Sequence, residues 1–296
     1  MTVPFDGDLG FANQESGVTH LSLIEKADVA VIVPTRNSAS TLRVCLESIR
    51  RQSHPCTLVV VDNSSSDETR LIADELADLV LDTGPERSAQ RNAGAAATAA
   101  KFVGFIDSDM ELPPEVVGEA IAALRSGAAS VVVPELTVGD GFWTEVRAYE
   151  RTFYQESEGI EAPRFFLREV FDDAGGFDEA MTGAEDWDLG IRTSQAGPRV
   201  HTTSVILHHE GQVRYFDACR KKGYYASGLI LFAAKHGLAG LGPASRRPWL
   251  RQPKALMTRR GLGLLALKIG ELVAIINAVL VAKISKRTTP LRGSDK

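Results

Sequence analysis

The apolar positions of this chain change period in a regular order. Asp28 to Pro34 (DVAVIVP) is a compact apolar run ended by proline, which predicts a central strand. From Ser40 to Gln52, Leu42, Cys45, Leu46 and Ile49 fall at helical spacing, with Ser40 placed to cap the first turn. Thr57 to Val61 (TLVVV) predicts a second strand ending at Asp62, and Asp67 to Leu76 a second helix, so the chain opens as a parallel β-α-β unit. Leu79 to Leu81 and a helix from Ser88 to Ala100 repeat the unit. Phe102 to Ile106 is then the fourth strand, Glu115 to Arg125 its helix, and Ser130 to Val133 the fifth strand. The alternation predicts one doubly wound α/β sheet up to about Pro134, running on into a less regular half.

That second half has its own pattern. Thr137 to Glu156 carries Phe142, Trp143, Tyr149, Phe153 and Tyr154 among charges, either as a helix packed over the sheet or as a wall of an acceptor cleft. In Gly175 to Arg192 two glycines precede Phe177, and Glu185, Asp186 and Asp188 open a helix whose dipole favours them regardless of chemistry. Thr203 to Leu207 is strand-like and leads into His208. Arg246 to Arg260 is basic without an acid, and Gly261 to Ile284 is an apolar segment of spanning length interrupted by Lys268, Glu271 and Asn277. A lysine at a bilayer centre costs about 3 kcal/mol, so the pattern favours a helix lying in a membrane surface over a spanning one. A packing helix of a soluble protein is the alternative.

Composition adds limits. The 296 residues are 44% hydrophobic and 24% charged, enough for one large α/β domain with appendages. The net charge of −5 hides an asymmetry, since from Arg246 onward only Glu271 and Asp295 oppose twelve lysines and arginines. Three cysteines without Cys-x-x-Cys spacing suggest neither a disulfide framework nor a zinc site and fit a reducing cytoplasm. The amino terminus lacks the pattern of a secretory signal, and residues 1–27 are expected to be loosely ordered. PTRNSAS after the first strand is not Gly-x-Gly-x-x-Gly, and no Walker-type loop is present, so the usual dinucleotide and P-loop sites are not expected.

The chemistry starts at the mouth of the fourth strand, where Asp107, Ser108 and Asp109 follow the apolar run. Ligands of open α/β sheets bind at that edge, and carboxylates hold Mg²⁺ or Mn²⁺ alongside substrate phosphates. A polar turn before the helix opened by Pro113 and Pro114 would look the same. Further stretches change the picture: Pro34 to Asn37, VVVDNSSSDET with Asp62, Arg91-Asn92, Asp107-Ser108-Asp109, GGFDE, EDWDL with Arg192, and a late His-x-x-Gly. In that order, from Val29 to about Gly211, they resemble the inverting glycosyltransferases of family 2, with the Rossmann-like mixed sheet called GT-A.

The resemblance implies a single GT-A domain over 28–212, with a nucleotide-binding half at 28–134 and an acceptor half at 135–212, followed by a helical extension over 213–296. It implies a divalent cation, Mg²⁺ or Mn²⁺, held by Asp109 and His208, with Asp107 near the ribose or the metal. Pro34, Thr35, Asn37 and Asp62 would surround the nucleotide base, although Asp62 could instead cap the turn through Ser64 to Ser66. Arg87 and Arg91 would serve the base or diphosphate, unless they are solvated helix arginines. Asp186 would be the general base, Glu185 would orient the acceptor or its loop, and Phe177 would pack beside the acceptor. Asp188 and Arg192 read as a structural pair at i, i+4.

The expected reaction is transfer from a nucleotide-diphosphate sugar, UDP-sugar favoured, to a hydroxyl of a glycan or polyprenyl-linked acceptor. The expected setting is the cytoplasm, peripheral on the inner face of the plasma membrane, with no nucleic-acid partner. Two other readings stay open, a sugar nucleotidyltransferase and a non-catalytic sugar-binding scaffold in a membrane assembly.

Overall fold

The computed structural model describes residues 27–154, 160–240 and 247–288. Residues 1–26, expected to be loosely ordered, lie outside them. Strands β1 (Val29–Thr35), β2 (Thr57–Asp62), β3 (Leu79–Asp82) and β4 (Phe102–Phe105) are parallel, in the order β3-β2-β1-β4. Every residue of β1 and β2 is buried. Helices cover both faces, which is why these strands read as unbroken apolar runs. On one face α1 (Ala39–Arg50), α2 (Thr69–Leu76) and α4 (Val116–Arg125) bring Leu42, Leu46, Ile72 and Ile121 onto Val31 and Val33. On the other, α3 (Arg87–Ala96) packs so closely that a Cβ on Gly94 would lie 2.5 Å from Ile32 Cγ2. Each fully buried Val, Leu or Ile contributes about 1.5–3 kcal/mol relative to exposure.

Ser40 does not cap α1. The helix begins one residue earlier, and its first amides are satisfied by the neighbouring loop: Ser38 N donates to Thr69 Oγ1 (2.7 Å) and Ala39 N to Asp67 Oδ2 (3.2 Å).

The chain leaves β1 toward β2 and β3 and returns to place β4 on β1's other side. A crevice therefore opens at the carboxyl ends of β1 and β4, where Asp107 follows. The fifth predicted strand, β6 (Ser130–Val132), is not β4's neighbour, because β8 (Phe165–Leu167) runs antiparallel between them. Gly104 makes room for it: a Cβ there would stand 2.3 Å from a ring carbon of Phe165. β9 (Arg199–His201) closes the sheet beside β6.

A second, three-stranded sheet joins β5 (Met110–Glu111), β10 (Ile206–His209) and β7 (Glu135–Val138). Two expectations are corrected here. Thr137 and Val138 belong to β7, ahead of the helix α5 (Phe142–Thr152), and the strand expected from Thr203 starts at Ile206 and includes His208.

Beyond α6 (Arg168–Asp173) and α7 (Glu185–Thr193), the tail forms α8 (Tyr215–Tyr224), α9 (Ala226–Gly240), a 3-10 turn at Pro248–Arg251, α10 (Pro253–Leu256) and the long α11 (Arg259–Thr288). Val146, Cys219, Leu264 and Leu267 build a separate core between α5, α8 and α11. At Gly270 a Cβ would meet Tyr215 Oη at 2.2 Å and Cys219 Sγ at 2.7 Å, so these α8 side chains pack directly onto the backbone of α11. The other side of α11 is bare: Leu262, Ile269, Leu272, Val273, Ile276 and Leu280 are exposed. Arg259–Val281 is long and apolar enough to cross a bilayer, with mean hydropathy 2.2, yet Lys268 and Glu271 within it are turned into the protein.

Candidate active site

Arg91 is the centre of the site. Its side chain is 2% exposed, one nitrogen donating to Asp107 Oδ1 (2.8 Å) and the other to Asp186 Oδ1 (2.9 Å), with Glu185 Oε1 at 3.4 Å. Burying a lone guanidinium would be costly, and three carboxylates offset that cost. Burial works against the charged form, but Asp186 and Asp107 raise the arginine's pKa above its ordinary value. The solvated-helix alternative for Arg91 is therefore excluded, and the motifs of Asp107 and Asp186, 16 and 95 residues from Arg91, share its one side chain.

Phe177, expected beside the acceptor, does not line the cavity. It is buried in an aromatic cluster with Phe105 and Phe171, and Arg91 sits over its ring at 5.0 Å. The expected tight path is present, with Gly175 and Gly176 at positive φ (77° and 67°), and Asn92 pins it by accepting from Phe177 N and donating to Phe177 O, both at 2.9 Å.

At the amino end of α7, Glu185 is 3% exposed and accepts from Gly183 N (2.7 Å). Burial and the neighbouring Asp186 charge push its pKa up, against Arg91 and Arg87. Asp186 is 42% exposed and lines the cavity, with Arg91 bonded to only one of its oxygens. Asp188 is wholly buried and pairs with Arg192 as expected, and also with Lys235 and His236, so its role is structural. Arg87 reaches Glu185 (3.7 Å) and the Tyr225 hydroxyl (3.3 Å).

The two aspartates of the strand-end motif separate. Burial disfavours Asp107 as an anion, yet Arg91, Arg164 and Arg87 hold its carboxyl well below the usual range. Asp109 is 39% exposed and meets His208 Nε2 at 3.2 Å, because β10 pairs with β5 and sets His208 opposite Met110. His208 Nδ1 contacts Glu135 Oε2 at 3.1 Å. Burial would lower the imidazole's pKa, but Asp109 and Glu135 raise it to about 9.

A divalent cation fits this pair. Asp109 offers an accessible carboxylate, His208 offers Nε2, and Glu135 behind the ring can fix the tautomer by accepting from Nδ1–H. Cation binding there expels the histidine proton. Among the described residues no cluster of three or more ligating side chains exists, which suits a cation that takes its other ligands from substrate phosphates and water. Asp107, held by Arg91 (2.8 Å) and Arg164 (3.6 Å), is engaged elsewhere.

The predicted base-binding turns are stitched to one another. Asn37, at φ 49°, accepts from Ser66 N (2.8 Å), and Asp62 accepts from Ser65 N (3.0 Å) and from its hydroxyl, so Asp62 holds the turn. Thr35 is buried, its carbonyl bound by Gln90 (3.0 Å), and Ser108 donates to Ser38 Oγ (3.0 Å). Pro34 is buried within β1 beside Val61. These residues form the strand-end rim and do not line the cavity.

That cavity, about 430 Å³, runs from Asp186 past Glu135 and Arg164 to Lys222 on α8 and Lys268 on α11. Glu135, Arg151 and Arg164 were not singled out in the sequence. Glu135 joins Arg151, Arg164 and His208, and Arg164 joins Glu135 to Asp107. The only signal was a lone arginine before FFL, and its partners depend on a strand insertion that periodicity does not reveal.

With this geometry in hand, comparison with known proteins is informative. A model of the glycosyl transferase family 2 matches residues 30–179. The pre-mycofactocin glycosyltransferase of Mycobacterium tuberculosis is 28% identical over 94% of this chain, which spans 60% of that relative's length. The succinoglycan biosynthesis protein ExoA of Rhizobium meliloti is 29% identical over 74% of this chain and 75% of its own. Among solved structures, the mannosyltransferase PcManGT of Pyrobaculum calidifontis, in complex with GDP-Man and Mn²⁺, has TM-score 0.60 at 18% identity and covers 86% of this chain and 88% of its own. The matched family model extends over half of the sequence: the chain belongs to glycosyl transferase family 2.

Proposed function

We propose that the protein is a divalent-cation-dependent inverting glycosyltransferase, moving a sugar from a nucleoside-diphosphate donor to an acceptor hydroxyl in glycan assembly. The observation that carries the reading is Arg91, which joins Asp107 at the sheet edge to Asp186 on the cavity wall. The donor lies along the rim from Asp62 to Asp109, with Mg²⁺ or Mn²⁺ at Asp109 and His208. When bound, that cation supplies positive charge to the departing diphosphate without proton transfer. Arg87 and Arg91 add fixed positive charge beside it. Because Arg91 takes Oδ1 of Asp186, Oδ2 is left for the acceptor hydroxyl, whose proton it removes as the new bond forms from the opposite face. Glu185 holds the Gly183 turn from which Asp186 projects.

Peripheral attachment to a membrane's cytoplasmic face belongs to the same proposal. The bare face of α11 is apolar, and Arg251, Lys254, Arg259 and Arg260 stand near its start, where they suit anionic headgroups. Donor turnover with and without Mn²⁺ tests the reading. Cation-dependent release of nucleoside diphosphate supports sugar transfer, pyrophosphate release would mean a nucleotidyltransferase, and neither product would mean a scaffold.

A further inference from the structure

The cavity wall opposite Asp186 contains a cation, Lys222, that has no direct ion-pair partner among the described residues. Lys268 pairs with Glu150 (2.6 Å) and Glu271 (2.8 Å), and Arg147 pairs with Glu210 (3.3 Å) and Glu271 (3.6 Å). Glu150, Glu210 and Glu271 are thereby in ion pairs, although Glu271 Oε1, 3.6 Å from Arg147, accepts no hydrogen bond. Lys222 is half-buried on α8 and lines the same cavity, but among the described residues no carboxylate lies within ion-pair distance of its ammonium. Its position is not accidental to a loose tail, since a Cβ on the adjacent Gly223 would lie 3.2 Å from Ala274 O, a contact that fixes α8 on α11. The cavity as a whole is lined by eight lysines and arginines against six carboxylates.

We propose that this wall is an anion subsite, in which Lys222, flanked by Lys268 and Arg147, holds a phosphate or carboxylate group carried by the acceptor. The inference rests on the reading that Asp186 faces the acceptor, and it names that acceptor's chemical class. A neutral sugar hydroxyl would leave the half-buried lysine without a direct ionic partner, whereas an oxyanion supplies one. Burial pushes the Lys222 pKa down, with Lys268 and Arg147 adding to it and Glu271 and Glu150 only partly opposing it, and a bound anion would relieve that. Lys222 and Lys268 stand on α8 and α11, outside the residues matched by the family model.

The test uses the full chain loaded with Mg²⁺ and the nucleoside diphosphate that gives the largest thermal shift. Inorganic phosphate is titrated calorimetrically into the wild type, Lys222→Met, Lys222→Gln and Lys222→Arg. The expected result is at least tenfold weaker phosphate binding in Lys222→Met and Lys222→Gln, recovery in Lys222→Arg, and unchanged affinity for the nucleotide in all three. Unchanged phosphate binding in Lys222→Met would overturn the subsite, and weakened nucleotide binding would overturn it by assigning Lys222 to the donor. Glycerol phosphate in solution and phosphatidic acid in phosphatidylcholine vesicles, compared as competitors of phosphate, separate a soluble acceptor from a lipid-linked one. A chain that binds phosphate through Lys222 but takes up no nucleoside diphosphate with Mg²⁺ would sink the sugar-transfer reading and leave the subsite standing.

Discussion

At the sheet edge one buried guanidinium, Arg91, gathers Asp107, Glu185 and Asp186, whereas across the cavity α5, α11 and the turn after β10 meet through a row of ion pairs, Glu210, Arg147, Glu271, Lys268 and Glu150. The first arrangement converges on one point. The second is spread over long side chains from elements distant in sequence. Arg91, Asp107 and α5 fall within the family match, while Glu185, Asp186 and α11 fall beyond it. The difference teaches that the hub depends on one side chain, whereas the opposite wall is a surface whose charges can be exchanged one at a time.

The sharpest way to break this comparison is Asp186→Asn. It removes the proton acceptor and keeps the shape, so transfer should fall at least 100-fold while nucleotide binding stays within a factor of two. Unchanged turnover would remove Asp186 from the mechanism. Next comes Arg91→Met, which strands three carboxylates and should cost about 3–5 kcal/mol, seen as a fall in Tm. A variant as stable as the wild type would mean that the hub is not structural.

On the tail side single changes should cost less. Burial disfavours the Glu150 carboxylate, but Lys268 and Arg147 hold its pKa below the ordinary value. Its contribution is therefore full above the ordinary glutamate range and is lost as pH falls through the lowered folded value. Glu150→Gln should flatten the acid limb of the Tm-against-pH curve while reducing Tm modestly near neutrality. An unaltered acid limb would contradict that linkage. The smallest effect is expected on the bare face of α11, where Leu272→Asp with Ile276→Asp should lower co-sedimentation with anionic vesicles roughly tenfold and leave donor turnover in solution unchanged. Equal sedimentation would argue against that face as the membrane contact.

The sheet edge was far more legible than the tail. DVAVIVP, TLVVV and FVGFI announce buried parallel strands, and Asp107 and Asp109 follow from where the third of these ends. Asp186 and His208 were found by resemblance, and the structure adds the side chains that hold them. Arg91 was legible as part of a motif and as a candidate for the base or diphosphate, but not as the hub joining Asp107 to Asp186, because those partners lie 16 and 95 residues away. β8 is three residues long and β5 two, too short for a period to register, yet one separates β4 from β6 and the other brings Asp109 to His208. Lys268 and Glu271 looked like interruptions of a membrane segment. Packing against Glu150 and Arg147 gives them another purpose, which local pattern cannot express.

The central claim is that Asp109 and His208 bind the donor through a cation on the far side of Arg91 from the base. It is tested most directly by titrating the nucleoside diphosphate into the wild type and Asp109→Ala, each with Mn²⁺ and with chelator. The expected result is tight binding only for the wild type with Mn²⁺, and the weak chelator-like value for Asp109→Ala in both conditions. Equal affinity of the wild type in Mn²⁺ and in chelator, or full Mn²⁺-dependent binding by Asp109→Ala, would contradict it.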